Sequence, residues 1–573
     1  MPPGCFHGSQ EVATGKPCTE SIHKDCDRAL TLTVLCFHYS SERLEGIMTR
    51  EMSPRTPLPM CPPEKGGVCT VCFFGALSII LATCIPLLLF PEAGERVINT
   101  MFTFVTVEMG WLYMLFGAGT FILLMWFAFG PFSRKRLGDK IEYSTFSWIG
   151  MLFCAGVGAG IMFGGSIDWA YYAAYPMHGE PAGSLKAAQW GCAYGMFHWG
   201  PICWSIYAVL AVPIGYSYYV KRVPILNISQ ACTGLLGEKA NGWPGKIIDI
   251  LFMTGLVAGS ATALGLGIPI VAAAVASVTG LEHSFALEFG TLIFVTAIFC
   301  ISASLGLKKG LSNLSDFNVL IAMALLLFVF IVGPTVFLTD MAITSLGLMY
   351  SELITMATWM DPMSTSGFTK DWTVFYYAWF VAYAPFMSLF IAKISRGRTV
   401  REVVLGPVIV ASLGCGCFYL VFGNFGLHLQ LTGQLDVVTM VKTVKGATAI
   451  MAIADFIPMA PLYKLVFAGV TAISMATTFD AVSFALAATT TRKLTPDEEP
   501  ARWNRLFWAM SLGLVPTGIM LIDGPLSVLQ TASIVVGLPV LGVVCIGVAS
   551  FLKEYGQTGW VEYDSAACTP HDL

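Results

Sequence analysis

Residues 154–176, CAGVGAGIMFGGSIDWAYYAAYP, place five glycines in one of the most apolar parts of the chain, followed by an acid and a run of aromatics. Gly156, Gly158 and Gly160 spell G-x-G-x-G, but apolar runs flank them where a phosphate-cradling loop needs a strand before and a helix after. Two uses remain. Gly156 with Gly160, and Gly160 with Gly164, are small-xxx-small pairs that let membrane helices approach closely. Alternatively the glycines break the helix, since each interior glycine costs about 1 kcal/mol against alanine; unwound backbone deep in a membrane lines a cavity, where its carbonyls can hold a cation. Such an ion needs further oxygen ligands, and ISMATTFDAVS offers Thr477 and Thr478 with Asp480 close by. Threonines in membrane helices also commonly bond their own i−4 carbonyl.

A second set of residues is aromatic. FHWGPICWSIYAV holds Trp199, Trp204 and Tyr207 around a Gly200-Pro201 break, and in DWTVFYYAWFVAYAPFM the residues Tyr376, Trp379, Phe380, Tyr383 and Met387 follow helical spacing along one stripe. Trp372 suits an interfacial anchor, whereas Trp379 and Tyr383 lie too deep for a belt. A ring of π-faces suits a quaternary ammonium, which has no N–H to donate and gains about 2 kcal/mol per desolvated cation–π contact. Helix-to-helix aromatic packing is the plainer alternative.

The elements that position these residues are membrane helices. The chain has 573 residues, 55% of them hydrophobic and 12% charged, with a mean hydropathy of +0.70, which describes an all-α integral membrane protein. About twelve apolar runs are long enough to span, near 68–90, 104–129, 144–172, 190–219, 247–276, 285–306, 313–338, 372–394, 405–427, 464–490, 505–522 and 528–552. Lys and Arg cluster after the even-numbered runs, as at Arg134 to Arg136, Lys221, Arg222, Lys308, Lys309, Arg396 to Arg401 and Arg492 to Arg505. The positive-inside rule then puts both termini in the cytoplasm. A net charge of −4 gives no reason to expect nucleic acid. The polar first 67 residues carry five cysteines and three histidines at spacings that match no compact zinc ligand set, and Met48 or Met52 is an alternative start. Asp168, His198 and Asp480 fall on separate spans with no nucleophile or metal constellation, so no enzyme is expected.

GVGAGIMFGGSIDW, FHWGPICW with Tyr207, GSATALGLG, WTVFYYAWFVAYAPF, ISRGRTVRE and TTFDAVS, in that order across residues 68–552, resemble the betaine/choline/carnitine transporter family. The resemblance implies two inverted five-helix repeats with a LeuT-like core, the fold of sodium/amino-acid symporters, preceded by two peripheral helices. The chain would divide into a cytoplasmic tail (1–67), the peripheral helices (68–130), a first repeat (131–339), an amphipathic external segment (340–371), a second repeat (372–552) and a short cytoplasmic tail (553–573). It further implies a bacterial inner-membrane homotrimer, in contact with lipid, with residues 340–360 between protomers.

Carried over by position, the resemblance makes Trp199, Trp204, Tyr207 and Trp379 or Phe380 the aromatic box. Tyr171 would be an extra wall as in carnitine-type members, and Tyr383 and Met387 would lie on the pathway. Ala155 and Val157 carbonyls with Thr477 and Thr478 would hold one sodium ion, the coupling ion and the only cofactor-like species expected; the glycines 156, 158 and 160 would form the break. Asn318 stands where sodium-independent exchangers of the family carry arginine. Met387, by contrast, matches those exchangers, Leu256 lacks a hydroxyl that Ser260 retains, and Tyr377 and Phe380 replace tryptophans common in betaine symporters. The implied function is sodium symport of a trimethylammonium compound, with a carnitine/γ-butyrobetaine exchanger as the alternative. The short acidic end of the chain does not resemble the basic tail of osmotically activated members, which points to nutrient uptake.

Overall fold

Each apolar run folds as helix because hydrocarbon offers no partner for a free backbone N–H or C=O. The computed structural model describes residues 67–560, apart from 224–226, 306–310, 364–365, 493, 495–498 and 522–525. The expectations for residues 1–66 and 561–573, the zinc ligands and alternative starts among them, lie outside the described residues.

The elements in chain order are α1 (Thr70–Leu89), α2 (Gly110–Phe129), α3 (Thr145–Ala155), α4 (Ala159–Ala174), α5 (Leu185–His198), α6 (Pro201–Ala208), α7 (Trp243–Thr279) and α8 (Phe285–Leu305). They continue as α9 (Leu311–Val332), α10 (Thr335–Ser351), α11 (Phe375–Ile394), α12 (Val400–Leu431, with two π-turns), α13 (Ala460–Thr489), α14 (Arg502–Leu521) and α15 (Leu526–Thr558). No sheet occurs among the described residues, only isolated bridges pairing Val68 with Thr491 and Arg136 with Thr399.

Against about twelve expected spans, nine described helices are long and apolar enough to cross alone, and α3 with α4 makes a tenth as a pair bent by 59°. The other two runs are helical as well. The apolar part of α1, Thr70–Pro86, is short, and α14 opens with Arg502, Asn504 and Arg505, which lowers its mean hydropathy. Two expected boundaries fall inside helices: α10 starts before residue 340, and a π-turn at Thr369–Val374 runs unbroken into α11.

Local signals fix the helix ends near the site. Ser144 caps α3 by accepting from the N–H of Ser147 at 3.2 Å, and Ser184 caps α5 through Ala187 at 3.1 Å. Pro201 opens α6 at a first-turn position where its missing N–H does no harm. Thr399 and Glu402 form a capping box at the start of α12. The core is the meeting of α4, α5, α6, α7, α11 and α13, with α7 packed on α13 and α15, and α11 on α6 and α15.

Candidate functional site

The α3–α4 bend lies within the glycine run. α3 stops at Ala155, the N–H of Val157 turns back to Cys154 O at 3.0 Å, and Gly158 is extended (φ −137°, ψ 176°) before α4 starts at Ala159. Three residues therefore leave the helical ladder in the interior. Gly160 lies one residue inside α4, and its service is clearance: a β-carbon there would stand 3.1 Å from Trp379 and 3.2 Å from Trp199.

Beside the bend is a cavity of about 200 Å³. Its walls include Ala155, Gly156, Val157 and Gly158 from the bend, Trp199 from the α5–α6 junction, Trp204 and Tyr207 from α6, Trp379, Tyr383 and Met387 from α11, and Met475 and Thr478 from α13. Trp199 and Trp379 meet edge to face with ring centres 6.0 Å apart, and Trp204 meets Tyr207 at 5.5 Å. The walls are held from behind. Trp379 donates its indole N–H to Gly259 O at 3.1 Å. The Tyr383 hydroxyl lies 2.8 Å from Ser260 Oγ. Ser388 ties α11 to α6 by donating to Tyr207 O at 2.6 Å and accepting from Leu210 N–H at 3.1 Å.

Four expected site residues stand elsewhere. Phe380 is fully buried behind the box, 5.4 Å from Trp199 and 5.2 Å from Tyr207 between ring centres. Thr477 donates to its own helix, to Ile473 O at 3.0 Å and Ser474 O at 3.1 Å, while its neighbour Thr478 faces the cavity. Gly160 serves packing as described. Tyr171 lies twelve residues beyond Ala159 on α4, about 18 Å along a helix, and packs against Trp372 at 5.6 Å and Phe163 at 6.5 Å.

The sequence reading left Asp168 and His198 without a role, and the structure joins them. Asp168 is 1% exposed and accepts from Tyr376 and Tyr419, each at 2.7 Å. Tyr172 bridges onward to His198 Nδ1 at 2.9 Å, and His198 Nε2 lies 3.0 Å from Thr373 Oγ1. A buried aspartate in an aromatic-rich span is a signal in its own right; its partners, on other spans, leave no local pattern.

The arrangement can enclose a compact cation between aromatic faces and offer oxygen ligands from the bend and Thr478 beside it. Comparison with known proteins agrees with that chemistry. The model of the betaine/carnitine/choline family of transporters matches residues 71–559. An uncharacterized transporter, YeaV, of Escherichia coli (strain K12) is 30% identical over 452 residues, 79% of this chain and 93% of the relative. A carnitine transporter of Acinetobacter baumannii is 30% identical over 497 residues, 87% of this chain and 89% of the relative.

Proposed function

The chain belongs to the betaine/carnitine/choline transporter family, a non-enzymatic family of multi-pass membrane proteins, and we propose that it works as a sodium-coupled symporter of one trimethylammonium compound. The observation that carries this reading is the cavity in which Trp199, Trp204, Tyr207 and Trp379 face the opened backbone of the α3–α4 bend. A quaternary nitrogen cannot be hydrogen-bonded, so a set of π-faces is the protein's means of holding it. Sodium, a hard cation, would take oxygens from the Ala155 and Val157 backbone and the Thr478 hydroxyl. Asn318 supports this: its amide donates to Ser474 Oγ at 2.8 Å, one turn from Thr478, and its Oδ1 is buried with no partner among the described residues. Thr477 would join only by turning its hydroxyl away from its own helix.

The expected pair of inverted repeats makes α3–α4 and α11 the opening helices of each copy, and both line the cavity. With the clusters of Lys and Arg on the cytoplasmic side, the cavity, which follows α11 from Trp379 to Phe390 toward Arg396, would be open inward. The exposed apolar side chains Val336, Ile343 and Ile354 fit a trimer contact around the 340–360 segment.

One observation favours the second reading, a sodium-independent exchanger of the carnitine/γ-butyrobetaine type: Met387 lines the cavity beside Tyr383, and one relative is a carnitine transporter. Uptake of labelled betaine, choline, carnitine and γ-butyrobetaine into proteoliposomes separates the two. Accumulation in empty vesicles that vanishes when potassium replaces external sodium supports symport. Uptake that ignores sodium and requires preloaded substrate supports exchange.

A further inference from the structure

One buried charge beside the box has no part in the reading above. Asp168 lies on α4 about two turns past Gly160, and every group that reaches its Oδ2 is a hydroxyl: Tyr376 and Tyr419 at 2.7 Å and Tyr172 at 3.5 Å. An ionised carboxylate is an acceptor only, and three donors suit that form. No ion pair reaches it among the described residues. His198 needs no charge of its own: with Nδ1–H donating to the Tyr172 oxygen and Nε2 accepting from the Thr373 hydroxyl, a neutral ring has both nitrogens satisfied and the Tyr172 proton is left for Asp168.

The fold makes room for this cluster. A β-carbon on Gly164 would lie 2.6 Å from both Asp168 Oδ2 and the Tyr419 hydroxyl, and one on Gly195 would lie 2.5 and 2.6 Å from the Tyr419 ring. Two bare positions on two helices admit the tyrosine of a third to the carboxylate. The cluster also touches the box. Tyr376, held by Asp168, lies 6.2 Å from Trp199, 6.2 Å from Trp379 and 5.6 Å from Phe380 between ring centres.

We infer that Asp168 is the counter-charge of the quaternary ammonium site, a positioning and specificity residue that acts through Tyr376. A buried carboxylate without a cation is costly, and a cation entering the neighbouring cavity relieves that cost, whereas an uncharged body of the same shape does not. The aromatic walls and cavity volume select a trimethyl head; Asp168 adds a preference for its charge. The inference rests on the trimethylammonium reading of the cavity.

The test compares the purified full chain with Asp168→Asn, using whichever of choline, betaine or carnitine binds the wild type most tightly, and its tert-butyl isostere with carbon in place of the charged nitrogen. Binding of the cation is measured directly and the isostere by competition. At an effective dielectric near 20, a unit charge one tyrosine away is worth roughly tenfold in affinity. The cation should weaken by about that factor in Asp168→Asn while the isostere keeps its wild-type inhibition constant. Parallel losses for both ligands would mean a merely structural aspartate, and an unchanged cation affinity would remove the counter-charge; either result overturns the inference. If Asp168→Asn does not fold, Tyr376→Phe is measured with the same two ligands, where a few-fold loss confined to the cation is expected and an equal loss for both is fatal. A wild type that binds no trimethylammonium compound overturns the substrate reading instead, before any variant is made.

Discussion

Gly160→Ala puts the aromatic box to a quantitative test. The added methyl would sit 3.1 Å from Trp379 Cη2 and 3.2 Å from Trp199 Cη2 and Cζ2, inside the 3.5–4.0 Å of an ordinary carbon contact. Neither ring is free to yield, since Trp379 is pinned through its N–H to Gly259 O at 3.1 Å and Trp199 is backed by Phe380 at 5.4 Å. Overpacking of this kind costs about 1–3 kcal/mol, and alanine returns about 1 kcal/mol of helix propensity at this position inside α4. Stability therefore changes by no more than about 2 kcal/mol. Affinity carries the larger signal. If the rings part by a few tenths of an ångström, roughly half of two cation–π contacts is forfeited, about 1–2 kcal/mol or a 5- to 30-fold weaker Kd. Calorimetric binding of the transported compound, alongside thermal melting in detergent, measures both. Wild-type affinity in a folded Gly160→Ala protein would refute the claim that these two tryptophans grip the substrate.

Three further outcomes follow from the same geometry. Thr478→Ala should raise the sodium concentration needed for half-maximal uptake several-fold and Thr477→Ala much less, because only Thr478 faces the cavity; the reverse order in a sodium titration would discard the proposed ligand set. Gly195→Ala drives a methyl into the Tyr419 ring and should lose up to about 2 kcal/mol net of the helix-propensity gain, read as a lower melting temperature; unchanged melting would mean that Tyr419 has room to move. His178, in the loop before α5, lies 4.2 Å from Trp359 and 4.6 Å from Trp190 between ring centres, and burial lowers its pKa against the opposing pull of Glu180, Glu352 and Asp361. Below pH about 6.5 the unfolded chain takes up a proton that the folded chain refuses, so stability falls on acidification. His178→Asn, with a residue that tolerates the φ of +56°, should show a shallower fall in melting temperature between pH 7 and 5, and parallel curves would count against the burial argument.

The spans were legible because hydrocarbon imposes long apolar runs, and the box because Tyr376 to Met387 keep helical spacing over twelve residues. What spacing left open was the choice between neighbours. Consecutive residues on a helix point about 100° apart, so of Trp379 and Phe380 one faces the cavity and the other the packing behind it, and the same holds for Thr478 and Thr477. Only the placement of α6 and α9 against these helices decides which. Tyr171 was read from resemblance alone, and the rise of α4 carries it out of reach. Asp168 and Tyr419 are 251 positions apart, and no local pattern announces such a pair.

The architecture of α4 ties these elements into one rigid unit. Between Ala159 and Ala174 the helix is continuous, so the opened backbone at its start, the clearance at Gly160 and the carboxylate at Asp168 move as a unit. Gly164 stands four residues from each of the last two, on the surface between them. A tilt of α4 that widens the bend would shift Asp168 against Tyr376 on α11 and Tyr419 on α12, whose 2.7 Å bonds tolerate little displacement. With sodium at the bend and the ammonium group between the tryptophans, as proposed above, one rigid helix would couple the two: occupancy that fixed the bend would also fix Tyr376 behind the box. Under that proposal, charge at the start of α4 would bear on Asp168 two turns along it without any contact between the two ligands.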